Sequence, residues 1–206
     1  MDIKEFSILI KAKRRELDGL MRRKMPVITG RMAKDHFQGN FRKGGFVNNG
    51  LHPWKTARRL YSGGGRAGDK YGTLLSGRNH LFSSVKYTPS DYRVKVSNNL
   101  VYASVHNFGG TVHPTVTPRM RRFAWARYYK AMGKARKAAA GKKRKNGKTN
   151  ETATNAEALL WKKLALTPKT KLDVKIPQRQ FLGESRELSE KIAEKQEKEI
   201  RNILNL

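Results

Sequence analysis

Five histidines, His36, His52, His80, His106 and His113, are the side chains best suited to acid–base or metal chemistry, and the sequence scatters them. No two stand four apart, the spacing at which a helix turns two imidazoles toward one zinc ion. The chain also has no cysteine to complete a ligand set. The sixteen Asp and Glu residues are dispersed too, so no carboxylate pair is set up for acid–base work or two-metal phosphoryl chemistry. His106 and Asn107 form a fragment of a nuclease-type pattern without the second histidine and acidic ligands it requires. His106 reads instead as a hydrogen-bonded structural histidine beside Phe108. The run GGGRAGDK at 63–70 has the glycine content of a phosphate-binding loop. Asp69 stands where the lysine is needed, Tyr71 replaces the metal-holding hydroxyl residue, and no apolar strand precedes it. The expectation is a protein that is not an enzyme, with no catalytic residue, no metal site and no cofactor.

What the residues do provide is charge. Lys and Arg number 45 against 16 acids, a formal net charge of +29. A chain this basic repels itself and attracts polyanions, so DNA, RNA or acidic protein surfaces are the expected partners. No apolar run reaches the ~18–20 residues that span a bilayer. The first nineteen residues mix acids and bases into their apolar pattern, which reads as a helix and not a signal peptide. No membrane partner is expected, and a cytosolic protein is the default. Hydrophobic content of 37% beside 30% charged residues is poor in core and implies extended segments outside the packed part. With 206 residues, one domain, or one domain carrying an insertion, is expected.

The elements that must position this charge follow from periodicity. Residues 3–25 place Phe6, Leu9, Ile10, Leu17, Leu20 and Met21 near one helical face and Lys11, Lys13, Arg14 and Arg15 on the other. Pro26 suits the first turn of a second helix ending by Gly44 and Gly45. Residues 45–79 are glycine-rich and read as an irregular arm on which Trp54 packs back to the body. Alternation around Val85, Tyr87, Tyr92, Val94 and Val96, with a Pro-Ser-Asp turn, predicts a hairpin with one buried and one basic face. Residues 112–117, broken by Pro114, read as an edge strand, and Leu172, Val174 and Ile176 as a last strand. Residues 118–167 read as a basic insertion. A helix carries Phe123, Trp125, Tyr128 and Tyr129, a low-complexity lysine tract follows, and a short helix holds Ala156, Leu159, Leu160 and Leu164. No acid occurs between Asp91 and Glu151. Arg121, Arg122, Arg127, Lys142, Lys143, Arg144 and Lys145 are the candidate contacts to DNA or a partner. The insertion is either a basic finger or a solvated loop. The last helix, 184–205, pairs Glu187 with Lys191, Glu194 with Lys198 and Glu197 with Arg201 four residues apart. Its acids dock against a neighbouring copy or are neutralised internally.

Two distant stretches organise the rest: residues 101–110, VYASVHNFGG, and residues 176–183, IPQRQFLG. The first, a strand or a short helix, has buriable Tyr102, Ala103, Val105 and Phe108 before a turn at Gly109 and Gly110. In the second, Pro177 stops a strand and Phe181 and Leu182 are anchors. Tyr102, Ala103, His106, Phe108 and Gly109, followed by Ile176, Pro177, Arg179, Phe181, Leu182 and Gly183, resemble the paired motifs of the phage virion morphogenesis family. These are tail completion or head–tail joining proteins of Mu-like tailed phages. Family members usually carry Arg-Pro-Phe-Leu where this chain has Arg179-Gln180-Phe181-Leu182.

The resemblance implies a structural role at the neck or tail end of the virion, assembled in the bacterial cytoplasm. It implies a ring of copies around the DNA channel, touching connector and tail proteins and, non-specifically, packaged DNA. The motif residues would be mainly scaffold, with recognition left to the arm at 61–72, the insertion and the helix faces. A non-catalytic nucleic-acid-binding protein and a transient assembly chaperone are the alternatives. The expected fold is α+β, a single domain over 1–206. N-terminal helices pack on a small, mainly antiparallel sheet of the hairpin, the Val112 segment and the 172–176 strand. A C-terminal helix follows, and a basic helical insertion projects.

Overall fold

The structure, a computed structural model, describes residues 2–57, 60, 71–141 and 156–204, with backbone alone over 134–141. It has the α+β character expected, and the chain divides into two compact units. One comprises Met1–Gly110 with Ile176–Leu206, and the other Thr111–Lys175. In place of one small sheet, the described residues form three separate two-stranded sheets. Their strands are three to six residues long.

In the first unit, α1 (Ile3–Gly19) and α2 (Met25–Lys43) are continuous through a π-helical turn at Leu20–Lys24. Asp2 and Glu5 form a reciprocal capping box at the start of α1. The expected break at Pro26 becomes this turn for a local reason. Met25 N–H reaches back five residues to the Leu20 carbonyl, and Pro26 has no N–H to offer the carbonyl of Arg22. That orphaned oxygen accepts from Tyr92 N at 3.1 Å. Tyr92 lies in the left-handed region (φ 58°) at the turn joining β3 (Val85–Ser90) to β4 (Arg93–Asn98), an antiparallel pair. Arg22 Nη2 is 2.6 Å from the Asp91 carboxylate, whose pKa it lowers, and the Tyr92 hydroxyl donates to Asp18. The hairpin tip is therefore fastened to the helix defect. Further along, β3 and β4 cross α2 at Gly30, where an added Cβ would lie 2.8 Å from Tyr87 Cγ and Val94 Cγ2.

The core sits beneath α2. Ala33, Phe37 and Phe41 line its inner face and pack with Phe46, Trp54, Leu81, Val85, Ala103, Phe181 and Leu188. Phe41 is the hub, with ring centroids 5.2 Å from Phe181, 5.5 Å from Trp54 and 5.9 Å from Phe82. Residues 45–53, expected to be irregular, form an antiparallel hairpin of β1 (Gly45–Val47) and β2 (Leu51–Pro53). Its loop docks on the start of α7 (Arg186–Leu204): Asn48 Oδ1 accepts from Arg186 N at 3.1 Å, and the Glu187 carboxylate accepts from Gly50 N at 2.8 Å. A short helix, α3 (His80–Ser83), precedes β3.

A further expectation fails in this unit. α1 buries none of its residues; Ile3 is 84% exposed, and Phe6, Leu9 and Ile10 are also open. Leu20, at the π turn, is the first buried residue of the helix, and Lys13 Nζ donates to the Ile203 carbonyl at 2.5 Å.

The second unit begins with β5 (Gly110–Val112), paired with β6 (Val174–Ile176). Two further backbone bonds extend the ladder, Leu172 N to Pro114 O at 3.0 Å and Val116 N to Thr170 O at 2.8 Å. The segments expected to share a sheet with the hairpin thus pair with each other instead. Pro114 supplies the carbonyl that Leu172 uses. Beyond this base, α5 (Pro118–Gly141) and α6 (Ala156–Ala165) pack side by side. Ala124 and Ala131 on α5, and Ala158 and Ala165 on α6, are the buried positions. Each pair is seven residues apart, so one face of each helix is small enough for close backbone approach.

Candidate functional site

The two motifs meet inside the first unit. α4 (Ala103–Phe108) turns Ala103 and Asn107 inward, four residues apart on one face. Asn107 Oδ1 accepts from both Phe181 N and Leu182 N at 2.9 Å, while its Nδ2 donates to Leu182 O at 3.1 Å. One amide side chain thereby satisfies three backbone groups of the second motif, as a neighbouring strand would. Arg179, nearly fully buried, donates its backbone N–H to His106 O at 2.7 Å and its Nε–H to Lys55 O at 2.8 Å. Trp54 Nε1 donates to Gln180 O at 2.7 Å, and Asn40, inaccessible to solvent, donates to Phe181 O at 3.4 Å. Phe181 is fully buried and Leu182 packs against the same core. At Gly109 (φ 74°, ψ 179°) only glycine is at ease, and an added Cβ would lie 2.9 Å from Gln178 N. Ile176 and Pro177 are half-buried, and Gly183 is exposed at the end of the second motif.

Three motif side chains depart from expectation. Tyr102 and Phe108 are exposed, Phe108 at 73%, beside Val101 at 94%. Six helical residues provide one inward face, and Ala103 and Asn107 occupy it, so the aromatics on either side point outward. His106 is not a hydrogen-bonded histidine: its buried Nδ1 has no partner, and the ring meets Tyr102 edge-on at 6.0 Å. Burial, and then the Arg179 charge, pushes its pKa below the usual histidine value. Among the described residues no three His, Asp, Glu or Cys side chains come together as a metal site. No described helix is long and apolar enough to cross a membrane.

The charged candidates separate in the second unit. Residues Thr111–Lys175 carry 18 Lys and Arg against three acids, while the remaining 141 residues carry 27 against 13. Arg121 points inward, its Nη1 donating to Ala165 O at 3.0 Å at the C-terminal end of α6. Arg127 lies over the Phe123 and Trp161 rings, 5.3 and 5.7 Å from their centroids, and those rings meet edge-on. These two arginines hold the helix pair together. Arg122 alone of the described candidates faces solvent without an ion pair. Lys142, Lys143, Arg144 and Lys145 lie outside the described residues, as do residues 61–70 of the arm and the GGGRAGDK run within 63–70.

Sequence reasoning missed Arg119 and Lys130. Both are exposed, and neither pairs with a described acid. The signal was available: Arg119, Arg122, Ala126, Lys130 and Gly133 recur at intervals of three and four residues, across α5 from buried Ala124 and Ala131. Trp125, Tyr128 and Tyr129 form an aromatic cluster beside this stripe, with Trp125 and Tyr129 stacked at 5.9 Å.

The model of the phage virion morphogenesis family matches residues 20–201. The match begins immediately after α1 and takes in both motifs and the α5–α6 pair. No curated protein and no solved structure matches the chain.

Proposed function

The chain belongs to the phage virion morphogenesis family, and we propose that it completes the tail or joins it to the filled head. It acts as one of a ring of copies around the DNA channel. The observation that carries this reading is the family match over nearly the whole chain, with both motifs inside it. The molecule's surfaces agree with assembly in place of turnover. The motif side chains that clamp one another are used up in the scaffold, whereas Val101, Tyr102 and Phe108, and the apolar side of α1, are open to a neighbour. Burying such surface against connector proteins, tail proteins or another copy is the usual driving force of association. Packaged DNA would meet the basic unit without being read in sequence.

Electron microscopy of lysates from a phage lacking this gene tests the reading. The expected particles are DNA-filled heads beside separate, finished or overlong tails. Normal infectious particles would overturn it. Recovery of the chain from purified virions is expected for a resident neck or tail-end protein.

A further inference from the structure

We propose that the outer stripe of α5, formed by Arg119, Arg122 and Lys130 with Ala126 between them and Gly133 one turn beyond, is the surface on which this protein tracks the phosphate backbone of duplex DNA. The inference deepens the DNA-channel reading and rests on it. Four observations carry it. The three bases lie on one helical face, spaced three and then eight residues apart, so Arg119 and Lys130 stand about 16 Å apart along the axis, roughly five base-pair steps. None pairs with a described acid, and α5 itself contains no acid, so each charge is available to an external phosphate. Ala126 between the bases and Gly133 just past Lys130 are the two smallest residue types, and nothing lies within 4 Å of a Cβ placed on Gly133, so the face is low enough for a backbone to lie along it. Tyr129, 67% exposed, stands three residues after Ala126 and four before Gly133 and offers a hydroxyl at the border.

The same features disfavour an acidic protein as the occupant. A stable protein interface needs apolar anchors in its centre; here the centre of the stripe is cationic or small, and the exposed aromatics Phe123 and Tyr129 stand at its borders. The exposed leucines of the unit, Leu159, Leu160 and Leu166, belong to α6 or the residue after it. Backbone binding to DNA requires only cations at suitable spacing. Arg121 and Arg127 are excluded from the stripe because one caps α6 and the other lies between two rings.

The test uses the full-length chain, a 30-base-pair duplex and fluorescence anisotropy over a salt series, with poly-L-glutamate as a second probe. Arg119→Gln/Arg122→Gln/Lys130→Gln should leave thermal unfolding unchanged, because these side chains are exposed and unpaired. It should lower the slope of log K against log salt by about 2 to 3, since each phosphate contact contributes about 0.9. Affinity near 0.1 M salt should fall on the order of 10²-fold. Arg119→Lys/Arg122→Lys should keep slope and affinity, because backbone tracking needs charge and not guanidinium geometry. An unchanged slope in the triple variant overturns the proposal, as does a loss confined to poly-L-glutamate. Failure here is distinguishable from failure of the assembly reading. A wrong stripe leaves the gene-deletion phenotype of unjoined heads and tails in place, whereas a wrong assembly reading removes that phenotype whatever the duplex measurements give.

Discussion

α7 and α5 are both long, highly charged helices, and their charges are treated in opposite ways. α7 carries five acids and five bases and pairs six of them within itself. Arg186 meets Glu190 at 2.8 Å, Lys195 meets Glu199 at 2.6 Å and Arg201 meets Glu197 at 2.8 Å. α5 carries eight bases and no acid, and of those described it spends Arg121 and Arg127 on its own packing while leaving Arg119, Arg122 and Lys130 unpaired. The lesson concerns where charge is available. A net charge of +29 says that polyanions are attracted; only the pairing says which surface attracts them. The same contrast separates the two units. In the first, polar side chains such as Asn40, Asn107 and Arg179 are buried and satisfied, and in the second the surplus charge faces out.

The comparison breaks most visibly if the clamp in the first unit is dispensable. Asn107→Ala leaves the N–H groups of Phe181 and Leu182 without partners, at about 1–3 kcal/mol each. A loss of about 3–5 kcal/mol in denaturant-determined stability is therefore expected, set against a change within about 0.5 kcal/mol for exposed Arg122→Gln. Equal effects of the two substitutions would mean that the motifs are not interlocked in solution. A smaller effect is expected where a cation serves structure in the second unit. Arg127→Ala removes the contacts to Phe123 and Trp161 and should cost about 1 kcal/mol, visible as lower helical circular dichroism on heating. Arg119→Ala should not change that signal.

A third prediction uses pH. The Gly50 amide, helped by other hydrogen-bond donors, pulls the Glu187 carboxyl down to about 2 from its ordinary 4.5. A group depressed in the folded state stabilises fully above its unfolded pKa. The docking of the β1–β2 loop on α7 should therefore be lost as pH falls from about 4.5 through about 2. His36 and His106, both lowered mainly by burial, take up protons in the unfolded chain first, so stability also declines below the usual histidine value of 6.5. Glu187→Gln should shrink the acidic limb, to which Asp91 and Glu199 also contribute, and keep the histidine one, as read from denaturation midpoints across pH. The smallest effect belongs to the paired charges of α7. Glu190→Gln should cost about 0.3–0.5 kcal/mol and shift with salt.

How much of this was legible in the sequence depends on the range of the interactions involved. The first helix, the hairpin around Asp91 and the basic helix of the insertion follow from local patterning, and the structure contains all three. The motif pair was also legible, but its mechanism was not. Asn107 was read only as part of a nuclease-like fragment, because an Asn that imitates a strand is recognisable only beside its partner backbone, 74 residues away. Phe108 reads as core by type, yet a six-residue helix has one buried face and Phe108 is not on it. Only one of the three ion pairs expected on α7, Glu197 with Arg201, forms as expected. Glu187 turns instead to Gly50 in a loop distant in sequence. Pro26 was read as a helix start, whereas its missing N–H creates the oxygen that Tyr92 captures. Short-range chemistry was visible there, and the tertiary partner was not.

The most direct measurement of the division between scaffold and exposed charge is amide hydrogen exchange on the full-length chain, free and with a 30-base-pair duplex. The amides of Arg179, Phe181 and Leu182 should be slow in both states, and added protection on binding should fall within residues 119–133. Protection that appears instead in the first unit, with α5 unchanged, would contradict the account.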